Sequence, residues 1–188
     1  MSTFTSLRDC LAINNRALLP LFNYPKNMTM RLTLTEISLA ISAILGGLYG
    51  GTGFFTIMGG NPAVAALSDR SFAEFWQQVD GYMGARMPVF GPILLLSLLL
   101  SVIALVPERT TISFWLMAFA LFILVIDLVF TLSTNHPLNR LIQSWDLNQL
   151  PANVQEIKAQ VVHAFWFRSA FMILSFACVV AAIFLRRR

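Results

Sequence analysis

Apolar positions in this chain come in long unbroken blocks, not in the short alternation of strands. Residues 37–58 and 88–106 contain no charge, residues 112–132 contain only Asp127, and residues 164–185 contain only Arg168. Crossing a hydrocarbon layer of ~30 Å takes ~20 apolar residues as a helix and only ~9–11 as a barrel strand. Backbone facing lipid must satisfy its own hydrogen bonds, so each block is expected to be a membrane-spanning helix. Between the second and third blocks only 107–111 remain, a tight turn that makes those two helices antiparallel neighbours. The other connections, 59–87 and 133–163, are long and carry helix signals of their own. Ser71 followed by Glu74 reads as a capping box. Phe72, Phe75, Trp76, Val79 and Met83 follow at helical spacing. Asn61-Pro62 and Asn135-His136-Pro137 read as helix starts, with Asn as the cap and Pro just inside. Asn153 reads as a further cap, ahead of Val154, Ile157 and Val161 on one face. The expected fold class is all-α: a four-transmembrane-helix bundle with short helices in two long outer connections, either separate or as extensions of the spans themselves.

Composition supports this picture and narrows the function. Of 188 residues 57% are hydrophobic and 12% charged, about half the charge of an average soluble domain. That argues against a nucleic-acid-binding domain and an ordinary soluble enzyme, and leaves the lipid bilayer as the expected partner. The net charge of +4 is read as membrane orientation. Arg8, Arg16, Lys26, Arg31, Arg109 and Arg186, Arg187 and Arg188 fall on one side of a four-span topology. Arg70, Arg86, Arg140, Lys158 and Arg168 fall on the other, spread over much more loop. Both termini are therefore expected in the cytoplasm, with the protein integral to the plasma or inner membrane. Residues 1–33 are expected to be a cytoplasmic segment ahead of a membrane domain at 34–188. Asn14, Asn15 and Arg16 interrupt its apolar stretches, unlike a signal peptide. Met28 and Met30 just before the first span are alternative translation starts. Cys10 and Cys178 are not expected to form a disulfide, because Cys178 lies in an apolar block.

Three features carry candidate chemistry. The first span holds the pairs Gly46/Gly50 and Gly47/Gly51, whose spacing lets another helix approach closely or leaves room for a flat ligand. Asp127 and Arg168 lie about 7–8 Å and 6 Å inside the outer ends of their spans, at 1.5 Å per residue. Ionisable groups at such depth face the interior and pair, so the two are matched either as a structural clasp or as a polar site. His136 and His163, the two histidines, lie toward the outer side and offer a haem or metal reading without any recognisable ligand spacing. Trp76, Trp145 and Trp166 are expected near the outer interface, as an aromatic belt or as pocket walls.

Taken in order, several of these segments resemble the anthrone-oxygenase-like family of small membrane proteins. They are Phe75-Trp76-Gln77-Gln78-Val79-Asp80, then Arg86-Met87-Pro88, then Asn135-His136-Pro137-Leu138-Asn139-Arg140-Leu141 with Trp145, and finally Arg168. The resemblance covers about residues 34–185. It implies a compact four-helix membrane bundle and, as in the fungal members, oxidation of an anthrone to an anthraquinone by molecular oxygen with no cofactor. Family members often carry His or Asn three positions before the arginine matching Arg168. Here that position is Phe165, and His163 is displaced by two. On this reading Asp127 is the base and Arg168 or Arg86 steadies the anion. Asn135 and Asn139 orient a small apolar aromatic ligand, with Asp80 and Trp145 beside it. A non-enzymatic binding or assembly protein, and a haem- or metal-binding one, remain as alternatives.

Overall fold

A computed structural model describes residues 33–186, and the expectations for the N-terminal segment lie outside them. All regular structure among the described residues is helical. Four helices are long and apolar enough to cross a membrane: α1 Leu34–Ala66, α2 Asp69–Ala104, α3 Ile112–Gln143 and α4 Val154–Arg186. This is the build of an integral membrane protein. At 1.5 Å per residue each is about 50 Å long, so each outreaches a hydrocarbon core of ~30 Å. We call the end of the bundle holding Arg109 the inner end and the opposite one the outer end, as labels of position.

The long outer connections are mostly not connections. They are continuations of the spans, and only residues 67–68 and 144–153 lie outside helix there. Pro88 was expected to open a span; it sits with Pro92 inside α2, which begins at Asp69. Ser68 is the cap of that helix, its Oγ accepting from the Ser71 backbone N–H at 3.2 Å. Glu74 pairs with Arg70 at 2.8 Å instead of closing a box with Ser71. The box that does form is Thr33 with Glu36, at the start of α1.

Asn61 and Asn135 are not caps either. Each lies in unbroken helix at a π-turn, Thr56–Gly60 in α1 and Thr131–Asn135 in α3. Backbone N–H of Asn61 reaches back five residues to the carbonyl of Thr56, and that of His136 to Thr131. The cause is the proline that follows each turn. Pro62 and Pro137 have no N–H, and their rings crowd the carbonyls four residues back. One extra residue in the turn relieves that crowding while the helix carries on. Asn153 directly precedes α4, which begins at Val154 as expected.

The interior of the spans mixes small and weakly polar residues with large apolar ones, whereas the outside is mostly large and apolar. Ser42 and Ser101 hydroxyls meet at 2.9 Å, and the Ser175 hydroxyl donates to the Ala120 carbonyl at 3.0 Å. Ile44, Leu48, Leu96, Leu100, Ile103, Trp115 and Phe122 are exposed. Small residues inside are what close helix approach in lipid requires. One apolar core joins the four spans through Leu39, Leu94, Leu98, Met117, Ile123 and Val179. A second fills the outer end with Phe72, Trp76, Ile142, Val154, Ile157 and Val161. At the inner end Arg186 grips both carboxylate oxygens of Glu108 at 2.9–3.2 Å. Those hydrogen bonds hold the Glu108 carboxyl below its usual range. Over Gly81–Val89 every residue of α2 is exposed, just where Pro88 and Pro92 each remove a helical hydrogen bond.

Candidate functional site

A buried charged cluster joins three helices. Asp127 of α3 is 1% exposed, and its Oδ1 accepts from Arg168 Nε of α4 at 3.2 Å. Its other oxygen, Oδ2, accepts from the phenol of Tyr49 on α1. The depth match between Asp127 and Arg168 is therefore a contact. Tyr49 is the partner that the sequence reading missed. A tyrosine in the middle of a charge-free, glycine-rich block was the available signal, since a buried phenol generally needs a partner. The Arg168 side chain is only 14% exposed, and its guanidinium lies over the Phe165 ring at 5.2 Å. So Phe165, at the position where the resembling family often carries a polar residue, packs against the arginine by its ring face.

Nearer the outer end, Asp80, Asn139 and Trp145 are drawn into a zip between α2 and the end of α3. The Asn139 amide donates to Asp80 Oδ1, and Gln143 donates to Asp80 Oδ2 at 3.1 Å. Trp76 Nε1 donates to the Asn139 carbonyl oxygen at 3.1 Å. The Gln77 amide donates to the backbone carbonyls of Ile142 and Trp145, at 2.9 and 3.0 Å. Rings of Phe72, Trp76, Trp145 and Phe165 pack edge to face or tilted against one another beside this zip. Trp76 is a core residue, whereas Trp166 is exposed as a belt residue would be. Lys158, another residue that the sequence reading gave no site role, is buried, and its ammonium donates to the Leu67 carbonyl at 2.8 Å. It ties the α1–α2 corner to α4.

The remaining candidates are placed apart. Arg86 is exposed and folds back on its own helix, donating to the Tyr82 carbonyl at 2.9 Å with its guanidinium over the Tyr82 ring. Asn135 is 1% exposed, and neither atom of its amide has a hydrogen-bond partner. His136 and His163 are both exposed, and His163 sets its ring edge-on to Phe167 at 5.0 Å. Among the described residues no three His, Cys, Asp or Glu side chains gather as metal ligands.

Between the outer halves of α3 and α4 runs a groove of about 480 Å³, walled by Phe130, Pro137, Leu138, His163 and Phe167, with Ser133, Thr134 and Gln160 as polar edges. Phe130 stands three residues beyond Asp127, less than one turn. Asp127 and Arg168 do not line the groove themselves; their chain neighbours Phe130 and Phe167 do. A buried carboxylate–guanidinium pair can hold a developing oxyanion or simply close the bundle. No protein-family model matches the chain, nor does any curated protein or any solved structure.

Proposed function

We propose that this integral membrane protein oxidises an apolar aromatic substrate with molecular oxygen and no cofactor, as its resemblance to the anthrone-oxygenase-like family implies. The observation that supports this most is the Asp127–Arg168 pair, 3.2 Å apart, whose chain neighbours Phe130 and Phe167 form walls of the aromatic groove. An anthrone reaching the groove from the bilayer has an acidified methylene. A carboxylate that takes one methylene proton leaves an enolate, whose oxygen a guanidinium stabilises. The electron-rich carbon then bonds to one oxygen atom of O₂, and protonation gives a hydroperoxide. Loss of the second methylene proton, with cleavage of the O–O bond, gives the new carbonyl, and the other oxygen leaves as water. In this scheme Asp127 is the base, Arg168 the anion holder and Asn135 an orienting group. Asp80, Asn139 and Trp145 shape the site through the zip that they form, and Arg86 takes no part.

A second reading, an assembly or binding protein with no chemistry, draws on one observation. Both oxygens of Asp127 are already engaged, by Tyr49 and by Arg168, which suits a clasp better than a free base. The two readings separate in one assay. Detergent-purified protein given unsubstituted anthrone in air should consume oxygen and produce anthraquinone faster than buffer does. Arg168→Lys should stay folded yet lose about tenfold or more of that rate, because an ammonium cannot reproduce the planar fork. Full activity in folded Arg168→Lys defeats the catalytic role, and a wild-type rate equal to buffer favours the clasp. A Soret band or bound metal in the same preparation would favour the histidine alternative.

The orientation belongs to the same proposal: both termini in the cytoplasm of a cell or inner membrane, from the bias of basic residues. In a Cys-free background, single cysteines at Ser68 and Gln149 should react with an impermeant thiol reagent added outside intact cells. Reaction at position 109 in their place reverses the topology.

A further inference from the structure

Asp127, Thr131, Asn135, Asn139 and Gln143 recur at every fourth position of α3, running from the buried ion pair to the outer end. In a regular α-helix such steps drift by about 40° each, so four of them would wind off the inner face. The π-turn Thr131–Asn135 takes back part of that drift and holds the stripe more nearly in line. Both ends of the stripe are satisfied. Asp127 binds Tyr49 and Arg168, while Asn139 and Gln143 bind Asp80.

The middle of the stripe is not satisfied. Thr131 Oγ1 and both amide atoms of Asn135 are buried without a partner among the protein's groups, as is Oγ of Ser169 beside Arg168. A buried polar atom left unpaired is costly, and an asparagine amide needs an acceptor and a donor at once. A lipid chain supplies neither. A cation would serve Oδ1 but oppose Nδ2, and the Arg168 guanidinium at Asp127 already neutralises the nearby carboxylate. Water supplies both functions and typically makes about three hydrogen bonds in such sites. α2 contributes little at this level. Asp80 sits with Asn139, and Phe90 lies against Tyr49, which binds Asp127. The stretch of α2 bracketed by those contacts, Gly81–Val89, contributes no buried residue.

We propose that the outer half of the bundle carries a file of internal water along Thr131, Asn135 and Ser169, joining the Asp127–Arg168 pair to the aqueous surface at Asp80 and Gln143. The buried carboxylate thereby exchanges protons with the outer side, whether or not the groove carries chemistry. The full chain, labelled with ¹⁵N-asparagine in detergent, tests this by magnetisation transfer from water to side-chain amides. The Asn135 signal is assigned by its loss in Asn135→Leu. Its transfer should be about tenfold or more above that of Asn61, a buried amide that donates to the Val162 carbonyl at 3.1 Å. The Thr131→Val/Asn135→Leu double variant should stay folded, since apolar replacement of unpaired polar groups is close to neutral. It should slow exchange of the Arg168 guanidinium protons about tenfold. Transfer at Asn135 as slow as at Asn61 overturns the proposal. So does cross-relaxation to detergent or ligand protons in place of water, or unchanged Arg168 exchange in the folded double variant. If that variant does not fold, the wild-type measurement decides alone.

Discussion

Gly53→Ala should destabilise the bundle by about 1–3 kcal/mol, with Gly50→Ala close behind and Gly51→Ala neutral. A β-carbon at Gly53 would lie 2.9 Å from Met172 Cβ and 3.0 Å from the Ser169 carbonyl oxygen. At Gly50 it would lie 2.7 Å from Phe176 Cβ. None of these atoms is the loose end of a side chain, so α1 and α4 would have to part. Around Gly51 nothing stands within 4 Å, and at Gly46 the nearest atom, on the Phe176 ring, is 3.7 Å away. Of the two glycine pairs in the sequence, then, Gly47/Gly51 is not the tight one. Close approach runs along Gly50 and Gly53, with the Phe176 ring resting across Gly46, Gly47 and Gly50. Thermal unfolding in detergent should rank the variants in that order. Equal melting of Gly53→Ala and Gly51→Ala would mean that α1 and α4 are not packed this closely.

The second large effect belongs to the buried ion pair. Asp127→Asn and Arg168→Gln should each cost about 3–5 kcal/mol, because either leaves a charge alone in an apolar setting. Their combination should recover part of that loss, with a coupling of about 0.5–3 kcal/mol. Tyr49→Phe should cost about 1.5–3 kcal/mol, the range for a hydrogen bond to a charged group. In an Asp127→Asn background the Tyr49 substitution should cost less, since the acceptor is no longer charged. Strict additivity across the Asp127/Arg168 cycle would contradict the 3.2 Å contact. These stability measurements stand apart from the oxygen assay, because Arg168→Lys keeps a charge for Asp127 and tests geometry alone.

What was legible in the sequence was whatever depends on a short window of residues. Four charge-free or nearly charge-free blocks become four spanning helices, since length and hydropathy are local properties and lipid admits no irregular backbone. The Asp127–Arg168 match was legible for a related reason: a fixed rise per residue turns sequence position into depth. Helix limits were not. Proline after asparagine reads as a start, and only the π-turns before Pro62 and Pro137 let α1 and α3 run on. Ser71 lost its cap role to Ser68 because two serines three residues apart compete for one helix end. Periodicity shows that Gly46, Gly47, Gly50, Gly51 and Gly53 make one side of α1 small, but Met172, Ser169 and Phe176 of α4 select the line that is used. Asp80 and Asn139 looked like ligand contacts, and the fold pairs them with each other. Tyr49 lies 78 residues from Asp127, and no local pattern announces that bond. The chain by itself thus determined which segments are long and apolar enough to span, and that Asp127 and Arg168 stand at matching heights. The tertiary structure alone decided which groups meet, because depth is set along one helix whereas contact depends on how neighbouring helices are rotated against it.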